Sequence, residues 1–279
     1  MNIKPLSDIL GAEVYGVDLS APVDTATRAA LREAIEQKLV LCFRDQQLTS
    51  QGLVDAASQF GRTKAFLLKS DRTDVVPEVS IVSNRPPGSD DGKPVVQASH
   101  WHTDDSYLKL PATLSFLNAV TLPGKGGDTE FINCYEVLAT LPHQLRQAIE
   151  GLAAIHVYRS RRSKSWIAPR SDDEVVESPP VSHPLVRLHP WTRRSSLYIN
   201  PNRISHIDGW DDERSDVLLD ALYEHAFQPW LQYRHVWRDG DLVVWDNRCT
   251  MHRATKDYDL SQLRVMHRVM LEGETVNVG

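Results

Sequence analysis

A histidine and an aspartate two positions apart, His102 and Asp104, lie in the segment SHWHTDD that begins at Ser99. On an extended strand alternate side chains lie on the same face, so these two residues could bind one metal ion together. A third ligand must then come from elsewhere in the chain. Two histidines and one carboxylate on one face of a metal leave other positions open, which is the arrangement of non-haem Fe(II) oxygenases.

The His-x-Asp pattern alone does not identify a metal site, because the chain contains it twice. His206 and Asp208 have the same spacing, and a histidine beside an aspartate is most often an ordinary surface pair. His100 also shares the face of His102 on a strand. The residues that follow each copy must decide between them.

Further residues with chemical potential follow the first copy in a fixed order. They are Gly127-Asp128-Thr129, Trp245-Asp246-Asn247-Arg248, His252, Arg264 and Arg268. In order and spacing this set resembles the TauD/TfdA family of Fe(II)- and 2-oxoglutarate-dependent dioxygenases. Between Asp104 and Thr129 there are 24 residues (105–128), and between His252 and Arg264 there are 11 (253–263). The resemblance covers nearly the whole chain, and we assign His206, which no Gly-Asp-Thr follows, to the structural framework.

The resemblance implies roles for five residues. His102, Asp104 and His252 would bind Fe(II), Arg264 would bind the far carboxylate of 2-oxoglutarate, and the Thr129 hydroxyl would add a hydrogen bond. Arginine suits that carboxylate because its planar guanidinium donates two parallel hydrogen bonds. With O2 as the other reactant, the iron centre would hydroxylate a C–H bond while 2-oxoglutarate becomes succinate. A C–O, C–N or C–S bond at the hydroxylated carbon could then break.

Two more residues are candidates for binding the substrate. Arg268 lies four positions after Arg264, about 13 Å away on a strand at roughly 3.3 Å per residue, which suits two separate anions. In the resembling enzymes an arginine here binds the substrate's sulfonate or carboxylate. Asp105 would favour a substrate that also carries an amine or a hydroxyl. We therefore expect a small organic acid, with a carboxylate favoured over a sulfonate or sulfate ester.

Composition limits the class of protein. The chain has 279 residues, of which 41% are hydrophobic and 24% charged, and a formal net charge of −6. Such a composition is typical of soluble globular proteins, and the acidic balance argues against nucleic acid as a partner. We expect no membrane span and no signal peptide, because the apolar runs are short. The resemblance further implies a homo-oligomer, a dimer or a tetramer.

Cysteine usage points to a reducing compartment. The three cysteines, Cys42, Cys134 and Cys249, are odd in number and far apart. They give neither a disulfide framework nor the spacing of a zinc site. A cytoplasmic location is the simplest expectation.

The expected elements are helices and short strands that do not alternate regularly. Asp24, Thr49 and Asp212 are typical helix N-caps, with helices reaching residues 39, 60 and 227 and with Gly61 ending the second. Strands are predicted over 40–44, 113–122, 234–237, 242–246 and 264–271, with a turn at Asp239-Gly240 between the third and fourth. Two short helices, broken near Pro142, should occupy 133–151. This pattern favours an α+β fold, a β-sandwich or a jelly roll with helices packed outside. The resemblance implies a single domain with a double-stranded β-helix (jelly roll) core, flanking helices and a lid-like insertion.

One segment stands apart in composition. Residues 158–182 carry five basic side chains, then an acidic run, then Pro179-Pro180. Such a segment is most often a solvated loop, and it could instead be a mobile lid over an active site.

Two other classes of function remain as alternatives. Gly124-Lys125-Gly126-Gly127 suggests a dinucleotide-binding oxidoreductase, but it lacks a true GxGxxG and a strand–turn–helix setting. A non-catalytic binding protein on the same fold is the other, and the intact set of metal-ligating residues and arginines argues against it.

Overall fold

The largest sheet carries seven strands in the order β1-β2-β3-β13-β5-β15-β4. The computed structural model describes residues 1–73, 75–86, 94–164 and 167–279. The strands of this sheet are β1 (Asn2–Pro5), β2 (Ala12–Tyr15), β3 (Val40–Phe43), β4 (Ser80–Ser83), β5 (Leu114–Thr121), β13 (Leu242–Asp246) and β15 (Val265–Met270). Its centre is buried on both faces, which explains why β3 and β13 are continuous apolar runs.

Three smaller sheets complete the strand framework described here. The first has the order β12-β6-β14 and consists of β6 (Thr129–Asn133), β12 (Gln232–His235) and β14 (Thr250–Ala254). The second has the order β11-β7-β8, with β7 (Ala153–His156), β8 (Val181–Pro184) and β11 (Ile204–Ile207). The third has the order β10-β9-β16, with β9 (Val186–Leu188), β10 (Ser195–Leu197) and β16 (Asn277–Val278).

Six helices flank the sheets in the described part of the chain. They are α1 (Thr25–Lys38), α2 (Ser50–Ser58), α3 (Cys134–Ala139), α4 (His143–Ala148), α5 (Asp172–Glu177) and α6 (Asp212–Ala226). The predicted caps Asp24 and Thr49 are confirmed, because each side chain accepts a hydrogen bond from a backbone N–H of the first turn. Asp211 rather than Asp212 caps α6. The predicted stop at Gly61 is wrong, because α2 ends at Ser58 without a left-handed residue.

The turn at Asp239-Gly240 joins two strands that belong to different sheets. β12 pairs with β6, whereas β13 pairs with β3 and β5. Gly240 has a φ of 77° and lies against the backbone of Asp45, so a side chain there would be strained. The consecutive strands β12 to β15 thus alternate between the three-stranded and the seven-stranded sheet. The chain is mixed α and β, as predicted.

The described part of the segment 158–182 contains a helix and ion pairs with α6. It contains α5, which begins with a capping box between Ser171 and Glu174. Arg161 and Arg162 tie its first part to α6, through ion pairs with Asp212, Asp216 and Asp220. Residues 165–166 lie outside the described part of the chain, and a lid movement remains a prediction.

Two further expectations can be compared with the structure. The three cysteines are free and buried in the structure. Among the described residues, no helix is both long enough and apolar enough to cross a membrane.

Candidate metal centre and active-site cavity

His102 and Asp104, two positions apart in the sequence, meet the distant His252 in one buried cluster. The Nε2 atoms of His102 and His252 each lie 3.9 Å from an oxygen of the Asp104 carboxylate. The two imidazole centroids are 4.2 Å apart. One ligand atom from each residue can therefore be chosen so that all lie within 4.8 Å of one another. This geometry can hold a single metal ion.

The backbone explains how the two histidines meet. His102 and His252 exchange both backbone hydrogen bonds across an isolated antiparallel bridge, at 3.0 Å and 2.8 Å. Directly opposed residues of such a pair bring their side chains close together. The expected strand around His102 is wrong, because only His102 forms a bridge and Asp104 already lies in a turn. The side chains of His102 and Asp104 therefore converge because the chain turns after His102, and not because alternate residues of a strand share a face.

Asn247 replaces the missing strand partner of Asp104. Its Oδ1 accepts hydrogen bonds from the Asp104 N–H at 2.8 Å and the Thr103 hydroxyl at 2.9 Å. Its Nδ2 donates to the carbonyls of Asp104 at 2.8 Å and Ala112 at 3.0 Å. The Ser115 hydroxyl donates to Asp104 Oδ2 at 2.7 Å. The sequence identified Asn247 only as part of a motif and gave no sign of Ser115.

The protonation of the cluster suits a transition metal. Burial lowers the pKa of both His102 and His252, so both imidazoles are neutral near pH 7. His102 Nδ1 donates to the His100 carbonyl at 2.8 Å, which leaves the Nε2 lone pair free. Burial opposes ionisation of Asp104, but the charge of Arg268 and the nearby donors hold its pKa well below the ordinary value. Two neutral imidazoles and one carboxylate are a donor set that fits Fe(II).

Arg264 is a buried cation without a counter-ion. Its side chain is 4% exposed, and its Nε donates to the Gly127 carbonyl at 2.8 Å. Among the described residues no carboxylate oxygen lies within 4.0 Å of its guanidinium. Burial accordingly lowers its pKa to about 10. A guanidinium in this state favours an anionic ligand, because the desolvation cost is otherwise uncompensated.

Glycine is required beside this arginine. Gly127 has a φ of 68°, and a Cβ there would lie 3.2 Å from Arg264 Cδ and 3.0 Å from Pro123 Cγ. The glycines of 124–127 thus form the turn before Thr129, as the sequence suggests, and do not build a dinucleotide loop.

Thr129 lies on β6, where it pairs with Ala254, two residues beyond His252 on β14. Its hydroxyl oxygen accepts a hydrogen bond from Trp237 Nε1 at 3.0 Å. Because the oxygen is already an acceptor, the hydroxyl proton remains available for donation. Sequence reasoning missed Trp237, which no motif marks.

A cavity of about 120 Å³ opens beside the metal-ligating cluster. Phe66, Tyr107 and Tyr158 form aromatic walls, and Ile167 and Ala168 of the 158–182 segment close one side. The charged side chains that line it are Asp71, Asp104, Asp105, Arg203 and Arg268. A small molecule with an apolar body and charged ends fits these walls.

Arg268 and Arg264 face different surroundings. Arg268 lines the cavity, donates from Nη1 to Asp104 Oδ1 at 2.8 Å and stacks over the Phe66 ring at 4.7 Å. Arg264 lies one residue before β15, and the pairing of β15 with β5 has a register shift between Val265 and Met266. Arg264 is therefore outside the regular strand that the sequence analysis assumed for both arginines, and it is not among the residues that line the cavity.

Asp105 lines the cavity but is not a free charge. It forms an ion pair with Lys64, and its φ is 55°. Such a left-handed conformation is costly for a residue other than glycine and is common at functional sites. The ion pair weakens the expectation that Asp105 itself selects an amine.

The second His-x-Asp copy lies away from the cluster, on and just after β11. His206 Nδ1 is 3.1 Å from the Ser205 hydroxyl, and Asp208 accepts from Ser182. Among the described residues it joins no set of side chains able to hold a metal. The assignment of this copy to the structural framework agrees with these contacts.

One other group of potential ligands, Cys42, His235 and Asp241, lies together in the described residues. Both nitrogens of His235 already have partners, Tyr233 and Asp241. Asp241 also pairs with Arg44. These contacts hold the Asp239-Gly240 turn and leave no free imidazole nitrogen for a metal.

Comparison with known proteins gives matches over nearly the full length. The family described as "Taurine catabolism dioxygenase TauD, TfdA family" matches residues 2–270. The chain is 33% identical to an alpha-ketoglutarate-dependent 2,4-dichlorophenoxyacetate dioxygenase of Cupriavidus pinatubonensis, over 95% of both chains. It is 30% identical to an alpha-ketoglutarate-dependent sulfate ester dioxygenase of Pseudomonas putida, over 98% of this chain and 90% of the relative. A solved structure of AAD-2 in complex with Mn(II) and N-oxalylglycine superposes with a TM-score of 0.83 at 31% identity, over 99% of both chains.

Proposed function

Because the chain belongs to the TauD/TfdA family of 2-oxoglutarate (alpha-ketoglutarate)-dependent dioxygenases, we propose that it uses Fe(II) and O2 to hydroxylate a small organic acid. The observation that carries this proposal is the buried meeting of two neutral imidazoles and one carboxylate beside a cavity. His102, Asp104 and His252 would hold the metal through two Nε2 atoms and the carboxylate. Bound there, Fe(II) would supply the O2 chemistry that couples decarboxylation of 2-oxoglutarate to hydroxylation.

The protein's own groups would position the cosubstrate. Arg264 would pair with the far carboxylate of 2-oxoglutarate, which compensates a buried cation that has no carboxylate in contact and whose burial the more distant Asp128 offsets only in part. Thr129 would donate its free hydroxyl proton to the same carboxylate. Trp237 would act on the cosubstrate only through Thr129, by fixing the direction of that proton. These contacts would hold the cosubstrate in one orientation before reaction.

The substrate's acidic group would bind Arg268 at the cavity wall. A carboxylate is favoured over a sulfonate or sulfate ester, because Arg203, the other cationic side chain that lines the described cavity, already donates to the Tyr158 carbonyl and lies over the Tyr107 ring. Hydroxylation at a carbon that bears oxygen, nitrogen or sulfur would lead to bond cleavage. The sulfate ester relative keeps the second class of substrate as an alternative.

The remaining expectations from the sequence also stand as proposals. The seven-stranded sheet and the three-stranded sheet, between which the consecutive strands β12 to β15 alternate, would form a double-stranded β-helix core within one domain. The segment 158–182, which contributes Ile167 and Ala168 to the cavity, would act as its lid. We further propose a homo-oligomer in the cytoplasm.

Succinate formation from 2-oxoglutarate, measured with Fe(II) and O2 present, tests the proposal. Arg264→Lys keeps the charge but loses the two parallel hydrogen bonds, so KM for 2-oxoglutarate should rise about 10- to 100-fold. Arg234→Lys is the control, because that arginine is already paired with Asp128 and Asp257. Absence of succinate in the wild type, or equal KM values in the two variants, would contradict the proposal.

A further inference from the structure

The cavity contains a carboxylate that the proposed function does not use, Asp71. It lies at the end of a short 3-10 helix, Lys69–Asp71, and lines the same space as Arg268. Of the other acids in the cavity, Asp104 would bind the metal and Asp105 is paired with Lys64. The role of Asp71 therefore needs its own explanation.

The fold fixes Asp71 on the Arg268 side of the cavity. Arg72 forms a β-bridge with Ser80, and Ser80 is the cross-strand partner of Arg268. The Ser80 hydroxyl also accepts a hydrogen bond from Arg268 Nε at 3.4 Å. Asp71 therefore lies directly beside Arg72, which is paired with β4, and β4 is paired with the strand that carries Arg268.

The 158–182 segment holds the same short helix from the other side. The Lys69 N–H donates to Glu174 Oε1 of α5 at 2.8 Å. This contact restrains the backbone of the helix that carries Asp71, so its position is set by two separate elements.

Asp71 carries a charge without a local partner. Among the described residues no cationic nitrogen lies within 4.0 Å of its carboxylate, and its side-chain hydrogen bond is a 3.4 Å contact from the Ser70 hydroxyl. Arg268 is directed to Asp104 instead. Burial raises the pKa of Asp71 and the charge of Glu174 adds to this rise, whereas the charge of Arg268 and the Ser70 hydroxyl lower the pKa by less. A partly buried carboxylate that faces a cavity is stabilised by a cationic or donating ligand.

A purely anionic substrate would match this cavity poorly. Its acidic group on Arg268 would place a second negative charge near Asp71, and like charges at short range repel. Once a metal neutralises Asp104, Arg268 is free to bind an anion, but Asp71 still lacks a cation. An ammonium group on the same substrate removes both problems.

We propose that the substrate is a zwitterion, whose anionic group binds Arg268, whose ammonium group binds Asp71 and whose apolar body packs against Phe66, Tyr107 and Tyr158. This inference rests on the proposed function and deepens it by naming the substrate class. It also moves the preference for an amine from Asp105, where the sequence suggested it, to Asp71.

The test uses pairs of acids that differ only by one amino group. Suitable pairs are phenylalanine with 3-phenylpropanoate and leucine with 4-methylpentanoate, each amino acid in both stereoisomers. The measurement is the stimulation of succinate formation above the substrate-free rate. Amino-bearing members should stimulate turnover more than their partners. In Asp71→Asn their kcat/KM should fall about 10- to 100-fold, the loss expected for one charge-assisted hydrogen bond.

The ratio of kcat/KM within each pair does not depend on the fraction of folded enzyme. Asp71→Asn should therefore lower that ratio even if it folds less completely. Asp55→Asn, which removes a charge from an exposed position on α2, should leave the ratio unchanged.

Failure of the inference and failure of the proposed function give different results. If no succinate forms under any condition, the proposed function is wrong. If substrate-free turnover occurs but no amino-bearing acid stimulates it, or if the acids without an amino group stimulate it equally, only the zwitterion inference is wrong. An unchanged ratio in Asp71→Asn would also overturn it.

Discussion

Asn247→Ala should both destabilise the protein and weaken its metal binding. The side-chain amide makes four hydrogen bonds, and three of its partners are buried backbone groups: the N–H and the carbonyl of Asp104 and the carbonyl of Ala112. Each buried group left without a partner costs about 1–3 kcal/mol. Water entering the vacated space recovers part of this, so we expect a loss of about 3–5 kcal/mol in the free energy of unfolding.

The consequence for the metal follows from the same contacts. Asn247 fixes the turn that presents the Asp104 carboxylate, and loss of such an outer-shell contact typically lowers metal affinity about 10- to 100-fold. The melting temperature should fall by about 10 °C for a chain of this size. Calorimetric unfolding and anaerobic Fe(II) titration of the folded variant measure the two effects separately.

Asn118→Ala is the matched control. Asn118 is equally buried on β5, but its Oδ1 has no hydrogen-bond partner in the structure. Its removal should cost about 1 kcal/mol or less and should leave Fe(II) affinity unchanged. Equal losses of stability in the two variants, with unchanged affinity in Asn247→Ala, would refute the assignment of Asn247 as the residue that positions Asp104.

Three further perturbations have defined outcomes. Trp237→Phe removes the donor to the Thr129 hydroxyl, so KM for 2-oxoglutarate should rise about 5-fold without loss of Fe(II) affinity; steady-state kinetics and metal titration check this, and an unchanged KM contradicts it. Asp246→Asn removes the nearer carboxylate partner of the buried Arg248, which keeps only Glu274 at 3.4 Å, and should cost about 3–5 kcal/mol in urea unfolding. The double variant Asp246→Leu with Arg248→Met should cost less. Burial holds the pKa of His156 well below its ordinary value. Below about pH 6.5 this histidine is therefore protonated in the unfolded chain but not in the folded chain, so the free energy of unfolding decreases as the pH falls. His156→Phe should reduce that slope by up to about 1.4 kcal/mol per pH unit in calorimetry across pH 7 to 5, and an unaltered slope would exclude His156 as a cause.

Local elements were predictable because their signals are local. The Asp24 and Thr49 caps and the break between α3 and α4 at Pro142 are set by hydrogen bonds and backbone limits within a few residues. That β12 and β13 belong to two different sheets was not predictable. The sequence of the turn between them specifies the turn itself, and it does not specify which strands will pair with β12 and β13.

The residues of the candidate site likewise divide into those that a sequence pattern indicates and those that only the structure brings together. The spacing of His102 and Asp104 suggested a metal site, but only the resemblance distinguished this copy from His206 and Asp208. His252 was also found only by resemblance, because a long-range bridge brings it to His102. Ser115, Trp237, Lys64 and Asp71 carry no motif. Their contacts depend on the positions of four separate segments, which sequence spacing does not contain.

The most direct test of the metal and cosubstrate site is anaerobic titration of the metal-free protein with Fe(II) and 2-oxoglutarate. The weak visible charge-transfer band of the chelate reports their joint binding. It should form in the wild type and in His206→Ala, because His206 lies outside the metal-ligating cluster, and it should be lost in His102→Ala. A band that survives in His102→Ala, or that never forms in the wild type, would contradict the central claim that His102, Asp104 and His252 bind the iron.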